Sequence, residues 1–402
     1  MSDAPAARIP LQPWMAAAET RAVLAALGGG GRFVGGCVRD ALLGRAVGDI
    51  DIATPLTPEE VTRRLTASAI KVVPTGLAHG TVTAVVAGRP FEITTLRRDV
   101  ETDGRHARVA FTDDWVEDAR RRDFTMNALF LDADGAIFDP VGGLSDLHAG
   151  RVRFVGDPTT RIREDVLRIL RFYRFHAHYG AGEPDPAGRA ACRTLAHLLP
   201  NLSRERVATE LLKLLAAPDP TPVLRLMEED GVLAAILPEA RQLGRLAALI
   251  PLEPTPDSIR RLAALTDGGA EAIAERLRLS TADRERLAIL AKLRAPIDLA
   301  GDEPVQHQAL YRLGADRYRD LVLLRAAERG DADRARTLLA LADRWPVPKF
   351  PLRGADVTKA GVPAGPAVGR LLNEIEAWWR DGDFRADRAA CLTELRRRLA
   401  RE

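Results

Sequence analysis

Apolar positions change their spacing near residue 150. Before that point they come in short runs broken by glycine-rich turns. The runs "RFVGG", "GDIDIAT", "GTVTAVV" and "RPFEITTL" each read as a strand, and the turn-like "AGRP" joins the last two as a hairpin. Among them Thr57, Pro58 and Glu60 have the order of an N-cap, a first-turn proline and a capping-box glutamate. Beyond residue 150 the period lengthens. In "TRIREDVLRILRFYRFHAH", Ile162, Val166, Ile169 and Tyr173 recur every three or four residues with charges on the other side, which predicts one amphipathic helix. "SRERVATELLKLL" predicts another, with Ser203 as its cap, and further helices follow to the end. Prolines and glycines near 218–222, 251–256 and 295–304 read as connections. The expectation is an α+β chain: a small mixed-sheet head with helices, roughly residues 20–150, then an elongated all-α remainder, with divisions at 1–150, 151–220 and 221–402.

Composition narrows the class. A chain of 402 residues is too long for one compact domain, and 46% apolar residues supply material for more than one core. No uninterrupted apolar run approaches 18 residues, so no membrane span is expected. The opening "MSDAPAARIPLQPW" lacks the basic-then-apolar order of a signal peptide, which makes the cytoplasm the default compartment. Cys37, Cys192 and Cys391 lie far apart, which argues against a disulfide framework or a zinc site. A net charge of +2 gives no overall signal for nucleic acid, so any RNA contact has to come from a local patch.

Candidate chemistry gathers between Val34 and Thr54, "VGGCVRDALLGRAVGDIDIAT". Gly35 and Gly36 follow a strand and precede the short helical segment "CVRDALLG", where backbone N–H groups can approach phosphate oxygens. Arg39, one turn on, can reach the same phosphates with its forked donors. No GxGxxG register fits "GGGGRFVGG", and without a Gly-Lys dipeptide there is no P-loop. Asp49 and Asp51, two apart on a strand, should project together while Ile50 and Ile52 pack behind them. Adjacent carboxylates repel unless a cation sits between them, and Mg²⁺ takes hard oxygen ligands together with substrate phosphates. Glu92, flanked by Phe91 and Ile93, offers a third acid if its strand lies beside that of Asp51. Two solvated aspartates on a surface strand, or an ordinary strand–turn–helix, would give the same local patterns.

Four segments in order resolve that ambiguity. "VGGCVRDALLG…GDIDIAT", "FEITTLRRD", "RRDFTMNAL" and "REDVLRILRFYRF" resemble the successive motifs of the class II CCA-adding tRNA nucleotidyltransferases, to which bacterial poly(A) polymerases are the sister group. The resemblance spans at least residues 30–215 and continues weakly in "GADVTKAGVPAGPAVGRLL". It implies a nucleotidyltransferase head at 1–150, a base-recognising neck at 151–220 and a tRNA-binding body and tail at 221–402. It also implies Asp49 and Asp51 as Mg²⁺ ligands with Glu92 as supporting acid, and Gly36 and Arg39 on the triphosphate. Arg122 would meet the nucleotide, Asp123 and Asn127 the ribose, and Asp165, Arg168, Arg171 and Arg174 would complete the nucleotide contacts. The partners implied are tRNA, CTP and ATP, with C, C and A added to the tRNA 3′ end. The sequence leaves oligomeric state open.

The Asp165–Arg168 couple has a chemical rationale of its own. Cytosine and adenine each present an exocyclic amine donor beside a ring-nitrogen acceptor. A carboxylate accepts from the amine and a guanidinium donates to the ring nitrogen. Uracil and guanine reverse both groups. Spaced three apart, the two residues would neighbour each other on a helix face, the spacing of a plain surface salt bridge as well. On the same helix Arg171 stays near that face, whereas Arg174 drifts well round from it. Glu164 could support the arginines or cap the helix. The polar "DVETDGRHARVAF", with Gly104, reads as a mobile loop, and a loop here resembles the one the family uses to switch from CTP to ATP. His106 within it reads as merely solvated. The rival readings are a poly(A) polymerase with the same head and a non-catalytic RNA- or nucleotide-binding module.

Overall fold

The computed structural model describes residues 4–76, 80–103, 106–293 and 297–400, with the backbone alone at 75, 99–103, 106–109 and 293. The chain forms two compact units, Met1–Pro238 and Glu239–Glu402.

In the first unit the alternating apolar runs become strands because alternate side chains have a core to face. The strands are β1 (Ala7–Arg8), β2 (Arg32–Val34), β3 (Ile50–Thr54), β4 (Lys71–Gly76), β5 (Thr81–Val86), β6 (Arg89–Thr95), β7 (Arg97–Asp103), β8 (His106–Phe111), β9 (Phe130–Leu131) and β10 (Ala136–Phe138). Eight of them make one sheet in the order β1-β10-β9-β2-β3-β6-β5-β4. Among the described residues only β3 and β6 pair in parallel within it, which makes the sheet mixed and the fold α+β. Ile50, Ile52, Val82, Phe91 and Ile93 are buried. The β5–β6 hairpin closes through Ala87 (φ 49°) and Gly88 (φ 81°), the two left-handed residues that a tight hairpin turn requires.

The helices of this unit are α1 (Pro13–Ala16), α2 (Ala18–Ala26), α3 (Gly36–Leu42), α4 (Pro58–Ala67), α5 (Trp115–Arg120), α6 (Gly143–His148), α7 (Pro158–Glu164), α8 (Arg168–Tyr179), α9 (Pro186–Leu195), α10 (Arg204–Leu215), α11 (Thr221–Glu229) and α12 (Val232–Ile236). Thr57 caps α4, its hydroxyl accepting from the Glu60 N–H at 3.4 Å. The Glu60 carboxylate binds Arg63 and Arg64 instead of returning to the cap, so only half of the expected capping box forms. Ser203 occupies the N-cap of α10 without a side-chain cap bond.

Two expectations change. The stretch expected as a mobile loop is the antiparallel ribbon β7–β8, registered from Arg97↔Phe111 to Asp103↔His106. In a ribbon standing apart from the main sheet the two strands pair with each other and leave their outer backbone groups to water, so apolar alternation need not announce it. Gly104 and the His106 side chain lie outside the described residues. The single helix expected across 160–178 is two, because Asp165 is extended (φ −151°, ψ 105°). Its carboxylate accepts from the Leu167 N–H at 3.1 Å and its carbonyl from the Arg168 N–H at 3.0 Å, a local turn that competes with the helix ladder. The apolar stripe survives the break, with Ile162, Ile169 and Tyr173 all buried.

Four aromatic rings fasten α8 to the head. Phe124 lies 4.9 Å from Phe154 and 5.1 Å from Phe175, and Phe154 stacks on Phe172 at 5.5 Å. All four are buried. Phe124→Ala removes the shared ring and is expected to cost about 3–5 kcal/mol of stability, read from urea unfolding followed by tryptophan fluorescence. A change below about 1 kcal/mol would show that the cluster does not hold α8 in place.

The second unit is helical from α13 (Leu243–Leu249) through α22 (Arg388–Leu399). A buried ion network runs through it, with Arg260 and Arg261 each 2.7 Å from Glu253 and Arg260 2.9 Å from Asp320. A separate core of Leu352, Val357, Leu371, Ile375, Trp379, Cys391 and Leu395 gathers its last helices, including the "GADVTKAGVPAGPAVGRLL" segment. Among the described residues no helix is long and apolar enough to cross a membrane.

Candidate active site

Strand β2 delivers the chain to Gly35, whose φ of +71° admits glycine readily and other residues only with strain. Helix α3 starts at the next residue. A Cβ at Gly35 would sit 3.9 Å from Asp51 Oδ2, so the glycine backbone runs beside the acid. Asp51 lies directly across from Glu92 in the parallel β3–β6 register, which turns both side chains to the same face of the sheet. Asp49 stands one residue ahead of β3 and is exposed, as is Glu92, while Asp51 is half-buried. Burial first, then the charges of Glu92 and Asp49, push the Asp51 carboxyl up to about 6, against an opposing pull from Arg122. Three acids therefore share one field.

In front of Asp51 opens a cleft of about 460 Å³. Of the residues proposed from sequence, Gly35, Gly36, Arg39, Asp51, Arg122, Asp123, Asn127, Asp165, Arg168 and Arg171 line it. Asp49, Glu92 and Arg174 do not. Arg174 is turned to Glu210 at 2.5 Å and its guanidinium lies 4.4 Å from the Phe175 ring. Its departure from the face holding Arg168 and Arg171 follows from helical drift in steps of three.

The polar walls are held by mutual contacts. Arg39, only 8% exposed, donates from Nη1 to Asn127 Oδ1 at 2.8 Å. Asn127 Nδ2 donates in turn to Asp123 Oδ1 at 3.0 Å, and Asp123 Oδ2 accepts from Arg171 Nε at 2.7 Å. Burial alone would raise the Asp123 carboxyl, but the Arg171 charge and the Asn127 hydrogen bond outweigh it and hold the group below the usual carboxylate range. Arg122 and Arg121 both pair with buried Asp118 at 2.8 Å.

The side chains of Asp165 and Arg168 each take a partner other than the other. Asp165 Oδ2 accepts from Arg206 Nη2 at 2.7 Å. Arg168 Nη1 donates to the Arg161 carbonyl at 2.8 Å and to Glu164 at 2.5 Å, so Glu164 supports the arginine and does not cap α8. The i,i+3 salt bridge that their spacing suggests is replaced, because the break at Asp165 removes the common helix face.

Five lining residues were not anticipated: Arg97, Arg121, Leu167, Phe175 and Arg206. Phe175 was within reach of sequence reasoning, since 168, 171 and 175 follow the helical period. Arg206 comes from α10, some forty residues after Asp165, with no local signal tying the two together.

Among the described residues no group of three or more histidine, cysteine or acidic side chains is arranged to hold a metal by itself. The donor set at Asp51 is nevertheless hard oxygen throughout and is strained by like charge. That suits a divalent ion whose remaining ligands come from phosphate and water.

Comparisons with known proteins bear on the same regions. Residues 31–153 match the family model of the poly A polymerase head domain, and residues 183–243 that of the probable RNA and SrmB-binding site of polymerase A. The chain is 34% identical over 376 residues to the mitochondrial CCA tRNA nucleotidyltransferase 1 of Danio rerio, covering 90% of this chain and 86% of that one. It is also 34% identical to the CCA-adding enzyme of Lacticaseibacillus paracasei, over 86% of each. The crystal structure of the Bacillus stearothermophilus CCA-adding enzyme in complex with CTP superposes with a TM-score of 0.79 at 30% identity, over 95% of this chain and 97% of that one.

Proposed function

Since the chain belongs to the CCA tRNA nucleotidyltransferase family, we propose that it adds C, C and A to the tRNA 3′ end without a nucleic-acid template, from CTP and ATP, releasing pyrophosphate. One juxtaposition carries this reading: the Asp51–Gly35 corner and the Asp165–Arg168 couple open onto the same cleft. A triphosphate held at the first places its base against the second.

The residues divide the work by chemistry. Backbone N–H groups at Gly35 and Gly36 and the guanidinium of Arg39 hold the triphosphate, with Arg122 adding positive charge near Asp51. Asp123 and Asn127 face the ribose, and Arg171 keeps Asp123 ionised. Asp165 accepts from the exocyclic amine of C or A, and Arg168 donates to the adjacent ring nitrogen. Asp49 and Asp51 are the residues that would hold Mg²⁺, with Glu92 as the supporting acid. Activation of the RNA 3′-hydroxyl and neutralisation of charge on the leaving pyrophosphate are the chemistry a bound ion supplies there. Positioning of the hydroxyl against the α-phosphate accounts for much of the remaining rate. Arg174, paired with Glu210, acts on the nucleotide through Arg171 and Phe175. Residues 1–150 serve as catalytic head, 151–220 as base-recognising neck and 221–402 as the tRNA-holding part. We assign the protein to the cytoplasm, although the Danio rerio relative is named as mitochondrial.

The deciding experiment incubates the protein with tRNA lacking its 3′ end and each labelled nucleotide in turn. Two C and one A are expected, whereas long A tracts would identify a poly(A) polymerase. Arg206→Ala should loosen the Asp165 carboxylate and raise UTP incorporation relative to CTP by roughly three- to tenfold, about the value of one ordinary hydrogen bond. An unchanged CTP/UTP ratio would show that Arg206 does not govern base choice.

A further inference from the structure

Resting on the assignment of Arg39 to the triphosphate, we propose that Tyr179 is a positioning residue for that arginine. One helix, α8, then serves both ends of the bound nucleotide. Arg168 at its first residue reads the base, and Tyr179 at its last aims the phosphate-binding guanidinium.

Arg39 belongs to α3 of the head and Tyr179 to the far end of α8, yet they meet twice. Arg39 Nη2 donates to the Tyr179 hydroxyl at 2.8 Å, and the guanidinium carbon lies 4.1 Å from the centre of the Tyr179 ring. Arg45, on the segment leading from α3 to Asp49, also lies against that ring at 4.6 Å and donates to the His178 carbonyl at 2.9 Å. Asn127 accepts from Nη1 of Arg39, and the Asp40 carboxylate pairs with the same guanidinium, accepting from Nε at 3.2 Å and from Nη2 at 3.4 Å.

The chemical type matters. A phenol is neutral, so it restrains the guanidinium by a hydrogen bond and by its ring face without cancelling the positive charge that a phosphate needs. Asp40 already balances part of that charge, and a second carboxylate in place of the phenol would compete with the phosphate for the rest. The helix is also made to stop there. Gly180 donates its N–H to the His176 carbonyl at 2.8 Å, and a side chain on residue 180 would collide with His176. Between Arg168 and Tyr179 the rise of α8 spans about 16 Å, and the Phe124–Phe154–Phe172–Phe175 cluster fixes the helix between those points. The base-reading arginine and the tyrosine that aims the phosphate-holding one are thus set on one rod.

The test uses the full chain with Mg²⁺ and measures inorganic tripolyphosphate, which has no base, as a competitor of CTP incorporation into tRNA. Tyr179→Leu removes both contacts and should raise the tripolyphosphate Ki and the KM for CTP and ATP about tenfold, with CTP/UTP preference unchanged. Tyr179→Phe keeps the ring and should give a smaller rise, about threefold, in a protein that folds as the parent does. A Ki unchanged in both variants while Arg39→Ala raises it would overturn the proposal and leave the assignment of Arg39 standing. A Ki unchanged in Arg39→Ala would instead remove that assignment, and the positioning role with it. Altered CTP/UTP preference in Tyr179→Phe would also overturn the proposal, because it would place the tyrosine's influence at the base.

Discussion

Asp51→Ala should reduce CTP transfer to tRNA by about 10³-fold or more, the equivalent of several kcal/mol of lost charge stabilisation, while tRNA affinity stays within about twofold. Asp51 is the one member of the acid group that both lines the cleft and sits in the sheet. Burial first, then the charges of Glu92 and Asp49, raise its carboxyl, and a bound cation relieves the charge part of that cost. Removing it leaves the remaining acids exposed and the phosphate side without its anchor. Because Ile50 and Ile52 remain buried on either side, the strand should persist and the variant should fold. Single-turnover transfer measured beside filter binding of the same tRNA separates the two effects. Transfer within tenfold of the parent would refute the metal role of Asp51 and favour a non-catalytic nucleotide-binding module.

Asp165→Ala should change which base is taken more than how tightly the triphosphate is held. If the couple reads the base as proposed, UTP would set its O4 acceptor against the carboxylate and its ring N–H against Arg168, and both contacts would repel. Deleting the carboxylate removes one repulsion from UTP and one attraction from CTP. The CTP/UTP ratio of kcat/KM should therefore fall by about 10- to 100-fold, as expected for one polar base contact worth about 1–3 kcal/mol. Tripolyphosphate inhibition should stay within about twofold, because Arg39 and the Gly35–Gly36 backbone are untouched. The loss of Asp165 also leaves Arg206 without its partner, so Arg206→Ala combined with Asp165→Ala should add little to the single change. A CTP/UTP ratio unaltered by Asp165→Ala would remove the couple from base recognition.

Local order along the chain was enough to place much of this architecture. Strands β2, β3, β5 and β6 stand where alternation put them, and the Asp51–Glu92 neighbourhood follows once β3 and β6 pair. Strand β4, the short strands β1, β9 and β10 and the ribbon β7–β8 escaped: β4 carries Pro74 and no clear alternation, β1, β9 and β10 offer only two or three positions without the glycine pair that directly follows β2, and a self-paired ribbon needs no apolar face. The helix break at Asp165 escaped for another reason. Spacing continues across it unbroken, and only the turn made by the Asp165 side chain and carbonyl shows that the helix has stopped.

Residue type and spacing were enough to propose the chemistry: two acids two residues apart after a glycine corner, an arginine one turn on, and a carboxylate–guanidinium couple suited to C and A, a set that only the succession of four motifs made specific. Those are short-range facts, written in residue type and spacing. What each charge is paired with depends on the three-dimensional fold. Arg206 on Asp165, Glu210 on Arg174, Asp123 on Arg171 and Tyr179 on Arg39 join residues 36 to 140 apart. Nothing in local periodicity encodes such partners. They are chosen only when folding buries charged groups together, and the cost of leaving one unpaired selects the arrangement.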